Sequence, residues 1–126
     1  MSGETLRLSP LSHTWLVDLD GTVLKNSGYL HGGDALLPGV QAFWDRIPDG
    51  DWIILLTARD EADRDATLTF LKAQGLRFDQ AIFGLPSGER VLINDTKPRG
   101  LVTALALAVE RDGGLGGYDI EIDPEL

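Results

Sequence analysis

The chain has 126 residues, of which 43% are hydrophobic and 25% charged, with 20 acidic residues against 11 basic ones and a formal net charge of −9. That length suits a single hydrophobic core, and the balance is that of a folded globular domain, which argues against wholesale disorder and against a second domain. The acidic excess makes nucleic acid a poor partner, the absence of cysteine removes thiolate chemistry and disulfides, and no apolar run suits a signal peptide or membrane span, so the expected location is cytoplasmic.

In chain order, residues 1–13 read as an N-terminal extension and residues 14–24 as a strand and its turn, the apolar run Trp15-Leu16-Val17 ending at Asp18-Leu19-Asp20-Gly21-Thr22. Residues 25–38 read as a short flap around Tyr29, Leu30 and His31. After Pro38 the pattern predicts a helix over 39–46. The run Trp52-Ile53-Ile54-Leu55-Leu56 predicts a buried strand ending at Thr57-Ala58-Arg59, followed by a helix over 60–74 with Asp60 and Asp63 as capping residues and Gly75 as its stop. A short strand is expected over 79–83, and a further buried one at Val91-Leu92-Ile93, ending at Asn94-Asp95. Residues 98–110 carry Leu101, Leu105, Ala108 and Val109 on one helical face, Gly113 to Gly117 reads as a turn, and 118–122 as a last short strand.

Strands alternating with helices predict an α/β fold: one Rossmann-like, doubly wound, mainly parallel sheet with helices on both faces, covering 1–126 as a single domain without a large cap domain. In open sheets of this kind ligands bind outside the carboxyl ends of the strands. The residues just after each apolar run, namely Asp18 to Thr22, Thr57 to Arg59, and Asn94-Asp95, are therefore the candidates for chemistry.

Asp18 and Asp20 stand one residue apart at a strand end, before a glycine that permits a sharp turn. Two close carboxylates repel unless a hard cation shares them, and Mg2+ suits oxygen ligands, with Asp95 as a third carboxylate from the far strand. A carboxylate can also attack phosphorus, while a neighbouring carboxyl group protonates the leaving oxygen and later deprotonates water. The Thr57 hydroxyl and nearby amides offer donors to phosphoryl oxygens, and a lysine or arginine would offset charge in the transition state.

The stretch Val17-Asp18-Leu19-Asp20-Gly21-Thr22-Val23-Leu24, followed in order by Leu56-Thr57-Ala58-Arg59 and Ile93-Asn94-Asp95, resembles the motifs of the haloacid dehalogenase-like superfamily. The resemblance runs over residues 14–110 and is to the small capless type, similar to capsule-biosynthesis and sugar-phosphate phosphatases. It implies that Asp18 is the nucleophile and a Mg2+ ligand, that Asp20 is the general acid and base and lends its backbone carbonyl to the metal, and that Asp95 completes the metal site. It further implies that Thr57 binds the phosphoryl group and that Gly21, Thr22, Ala58, Arg59 and Asn94 lie against the substrate.

Two departures stand out. Relatives of this type carry Phe-Gly-Lys-Pro where this chain has Phe83-Gly84-Leu85-Pro86, so the lysine is missing and Lys97, ahead of Lys72, is the substitute expected to stabilise charge. Asn94 stands where many relatives have an acidic residue.

The expected activity is hydrolysis of a small phosphorylated metabolite, such as a sugar phosphate, through an aspartyl-phosphate. Selection would fall to the flap, a macromolecular substrate or a neighbouring subunit of a homo-oligomer. The alternatives are an idle phosphoryl-binding or regulatory module, favoured by Leu85, and a nucleic-acid end phosphatase, which the net charge opposes. Plainer roles are an Asp-Gly turn for Asp18 and Asp20, a strand terminus for Thr57, a helix cap for Asp95, and a surface pairing of Arg59 with Asp60 or Asp63. His13 is expected to be structural or exposed, His31 to be solvated, and Trp15, Trp44 and Trp52 to pack in the core.

Overall fold

The structure, a computed structural model, describes residues 3–126; Met1 and Ser2 of the expected N-terminal extension lie outside the described residues. The strands are β1 (Glu4–Leu8), β2 (Thr14–Asp18), β3 (Trp52–Leu56), β4 (Gln80–Ile82) and β5 (Tyr118–Ile122). The α-helices are α1 (Val40–Asp45) and α2 (Arg64–Ala73), with 3-10 turns at Gly28–Leu30 and Glu61–Asp63. Every pairing between these strands is parallel, and they fall into two sheets, β2-β3-β4 and β1-β5. The chain is thus mixed α/β with parallel strands, built as two small sheets with few helices where one doubly wound sheet was expected.

The β2-β3-β4 sheet shows why. Side chains alternate between its faces, and Ile53 and Leu55 on one face are 0% and 1% exposed, packed with Val17, Trp15 and the α1 residues Val40, Phe43 and Trp44. The indole of Trp15 meets the ring of Phe43 edge to face at 5.9 Å. On the other face Leu16, Trp52 and Ile82 are exposed. Trp52 is therefore not a core residue, unlike Trp44, because strand alternation turns its side chain to the exposed face.

The helix expected over 98–110 does not form, and Val91-Leu92-Ile93 before it forms no strand. Val91 and Ile93 are 81% and 90% exposed. A three-residue strand is held mainly by the neighbour it pairs with, and neither β2 nor β4 accepts this run along its free edge. Where the first helical turn was expected, the Gly100 amide donates to the Lys97 carbonyl at 2.8 Å in a single turn, while the Lys97 amide donates forward to the Leu101 carbonyl at 3.0 Å, against the helical sense, and closes a loop. Residues 113–117 do turn, and the Leu115 amide donates to the Pro38 carbonyl at 2.9 Å. The strand at 118–122 forms but pairs with β1, an element the sequence did not suggest.

Helix α2 follows its local signals closely. Acidic Glu61, Asp63 and Asp65 sit in the opening turns, favourable to the helix dipole, although neither Asp60 nor Asp63 makes a side-chain capping bond. At the other end the Gly75 amide reaches the Lys72 carbonyl and the Leu76 amide the Leu71 carbonyl, with Gly75 at φ 78°, which is the left-handed stop that glycine permits. Thr67 and Leu71 form its buried face.

Candidate active site

Parallel register places Asp18, the last residue of β2, beside Leu56, the last of β3, so the turn after Asp18 and the loop starting at Thr57 leave adjacent strands at one rim. The β4 loop joins them: the Leu85 amide donates to the Thr57 carbonyl at 3.1 Å and the Gly84 amide to the Arg59 carbonyl at 2.7 Å. Leu85, the position of the absent lysine, thus lies against Thr57.

The turn after Asp18 is tightly wound. The Val23 and Leu24 amides both donate to the Leu19 carbonyl, at 2.9 and 3.0 Å, and the Gly21 amide returns to the Leu24 carbonyl at 2.7 Å. Gly21 adopts φ 88°, a backbone angle that calls for glycine, and a Cβ there would meet Cγ of Arg111 at 3.2 Å, a tight contact to which the arginine side chain would have to yield. Leu19, Val23 and Leu24 are fully buried and anchor this turn in the core. Asp18 and Asp20 remain partly accessible, with side chains 38% and 23% exposed.

Asp18 has two partners. Its Oδ2 accepts from the Thr22 hydroxyl at 3.1 Å and its Oδ1 from Nη1 of Arg90 at 3.1 Å. Asp20 belongs to a different group, centred on Arg59. That guanidinium donates from Nε and Nη2 to the two oxygens of Asp20 at 3.0 and 2.8 Å, and from Nη1 and Nη2 to those of Asp34 at 3.0 and 2.7 Å. Nη1 also donates to the Thr67 hydroxyl at 3.0 Å. All five N–H groups of the arginine are used. The ring of Tyr29 stacks over Cζ at 3.9 Å, a cation–π contact.

Burial opposes the charge on Arg59, yet the hydrogen bonds and attraction of Asp34 and Asp20 hold its pKa above the ordinary guanidinium value. Burial likewise pushes the Tyr29 phenol up; Arg59 opposes that rise, and Asp20 adds to it. Arg59 pairs with neither Asp60 nor Asp63, because its side chain runs inward to carboxylates 39 and 25 residues away in sequence. With every donor engaged, Arg59 has none left for a phosphoryl oxygen.

The remaining expected site residues divide. Thr57 is buried, and its oxygen accepts the Arg59 amide at 3.0 Å, while Ala58 beside it is exposed. Asn94, Asp95 and Lys97 lie in the exposed stretch without regular structure, where the Asn94 amide group donates to the Thr103 hydroxyl at 2.8 Å and the Asp95 carbonyl accepts from the same hydroxyl. None of the three hydrogen-bonds to the Asp18 turn. Lys72 projects from α2 toward the ring of Phe78 at 5.9 Å, and His31 is exposed. The stretch is nonetheless tied to the turn near both ends, by Arg90 on Asp18 and by the Asp112 amide, which donates to the Gly21 carbonyl at 2.8 Å.

Residue type alone singled out neither Asp34 nor Arg90. The available signal for Asp34 is that it is the only acidic residue in the flap, residues 25–38. As for a metal, no group of three or more His, Cys, Asp or Glu side chains gathers among the described residues. Mg2+ needs only one or two carboxylates besides water and substrate oxygens, and Asp18 already has a cationic group, Arg90, on its Oδ1. Of the donors expected for such an ion, Asp18 and the Asp20 carbonyl belong to the one turn, and Asp95 does not gather with them.

The rim is open. A cavity of 240 Å³ lies at the opposite, amino-terminal end of the strands, lined by Pro10, His13, Pro48, Asp51 and Ile122 among others. There Asp51 accepts from the His13 amide, from the Trp15 indole at 2.9 Å and from the His13 ring at 2.7 Å, a structural cluster remote from Asp18 in the sheet. Among the described residues no helix is long and apolar enough to cross a membrane. No protein-family model, curated protein or solved structure matches the chain.

Proposed function

We propose that this chain is a magnesium-dependent phosphomonoester hydrolase of the haloacid dehalogenase-like type, acting on a small phosphorylated metabolite such as a sugar phosphate. The observation that supports it is the position of Asp18: a partly exposed carboxylate at the carboxyl end of β2, flanked by the start of the Thr57 loop and already balanced by a cation. That is the setting a nucleophilic carboxylate needs.

In this reading an oxygen of Asp18 attacks phosphorus, and the bond from phosphorus to the leaving oxygen breaks as Asp20 gives that oxygen its proton. Each Asp20 oxygen accepts from Arg59 and keeps a second lone pair on which a proton can sit. Asp20 then takes a proton from water, whose oxygen attacks the phosphorus of the Asp18 acyl phosphate, and the bond to Asp18 breaks to release phosphate. Asp18 and the Asp20 carbonyl would hold Mg2+, which when bound offsets charge on the phosphoryl oxygens. The proposed test is turnover of p-nitrophenyl phosphate with and without Mg2+ and in Asp18→Asn. Activity that requires the metal and vanishes in the variant is the expected result, and an inactive wild type across a broad phosphate panel defeats the proposal.

A second reading is a phosphoryl-binding module without turnover. It is favoured by the separation of Asn94, Asp95 and Lys97 from the Asp18 turn and predicts that inorganic phosphate binds while no substrate is hydrolysed.

A further inference from the structure

We propose that Asp34 is a positioning residue that fixes the carboxyl group of Asp20 through Arg59. The inference rests on the phosphatase reading, in which Asp20 moves the proton. Among the described residues no hydrogen bond joins Asp34 to Asp20 directly. What it does is occupy the second edge of the same guanidinium, so that Arg59 presents its Nε and Nη2 edge to Asp20 in one orientation.

Three observations carry this. Arg59 is 3% exposed and has no unused donor, so its plane cannot rotate about the side-chain axis without breaking several bonds at once. Asp34 is itself only 8% exposed in its side chain, whereas Asp20 at 23% opens to the rim. The partly exposed carboxylate is therefore held by a buried one. Finally, Asp34 and Tyr29 both belong to the flap, and Tyr29 covers the guanidinium face at 3.9 Å. The flap accordingly serves as a fixed wall behind Asp20. The turn that carries Asp20, the β3 loop that carries Arg59, the helix α2 through Thr67 and the flap are joined at one cation.

A residue that positions a general acid affects substrates unequally. A leaving group that departs readily as an anion needs little protonation, whereas a basic one depends on it. Asp34→Asn is therefore compared with wild type on p-nitrophenyl phosphate and on phenyl phosphate, two esters of similar size whose leaving groups differ in basicity. Because acid catalysis contributes about 100-fold or more, a displaced acid should lower kcat for phenyl phosphate by roughly 10- to 100-fold, lower it several-fold less for p-nitrophenyl phosphate, and leave KM within about threefold. Arg59→Lys, which keeps the charge and loses the two-edged fork, should show the same inequality and serves if Asp34→Asn does not fold. Asp51→Asn, a buried carboxylate at the other end of the strands, serves as the control and should leave both rates unchanged. Equal losses on the two esters, or a change in KM alone, overturn the role of Asp34 while leaving the phosphatase reading intact. An inactive wild type overturns both.

Discussion

The turn Asp18 to Leu24 and the stretch from Ser87 to Glu110 both promised strand ends rich in polar side chains, and the structure treats them oppositely. In the turn, Leu19, Val23 and Leu24 are buried, and the polar groups around it close into bonds with Arg59, Asp34 and Thr22. In the stretch, Val91, Leu92, Ile93, Val102 and Leu105 face solvent, and apart from Arg90 on Asp18 its bonds are local, as in Asn94 to Thr103 and Lys97 to Leu101. The difference lies in what each finds to pack against. The turn sits above a core already formed by β2, β3 and α1. The stretch needs an adjoining edge and an apolar face to adopt the strand and helix its pattern encodes, and although Leu16, Trp52 and Ile82 offer such a face, the chain does not use it.

The sharpest way to break that contrast is at Arg59. Replacing it with alanine leaves Asp34 buried and without its counter-charge and removes the donors to Asp20 and Thr67. Loss of one partner from a buried ion pair costs about 3–5 kcal/mol, and the partial exposure of Asp20 puts this case near the lower figure. Urea unfolding measures it, and a loss under about 1 kcal/mol would mean that the turn does not depend on this cation.

A smaller effect is expected at Asp51, which ties β2 to β3 at their amino-terminal ends. Asp51→Ala leaves the His13 amide, the His13 ring and the Trp15 indole short of an acceptor, for about 1–3 kcal/mol. Burial opposes ionisation of Asp51, but the Trp15 indole, the His13 amide and the His13 ring outweigh it and hold the carboxyl below its ordinary value of 3.8. A depressed folded-state value contributes stability that is complete above the unfolded value and is lost as pH falls through the folded one. Wild type should therefore exceed Asp51→Ala fully at neutral pH, and the gap should narrow only below about pH 4. Thermal melts across that window check the direction, and a gap that widened on acidification would contradict it.

The smallest effect tests the stretch itself. Ile93 is 90% exposed, so Ile93→Asp should change stability by less than about 0.5 kcal/mol. A loss above roughly 1.5 kcal/mol, the scale for exposing a buried isoleucine, would show that the run packs somewhere. Amide exchange gives the same answer without mutation, with slow exchange expected at Ile53 and Leu55 and fast exchange at Val91 and Ile93.

Read from the amino-acid order alone, the strands at Trp15 and Trp52, the helix closed by Gly75, the Gly21 turn and the place of Asp18 at the end of its strand were all legible, since each follows from local periodicity or from a backbone angle that few residues accept. The partners of Arg59 were not, because carboxylates 25 and 39 residues away become neighbours only when the flap folds back across the β3 loop. Nor was Arg90 beside Asp18, the pairing of β5 with β1, or the open state of residues 91–93. Local pattern states which structure a segment can adopt; whether an edge, a face or a counter-charge waits for it depends on segments remote in the chain, and only the tertiary arrangement decides that.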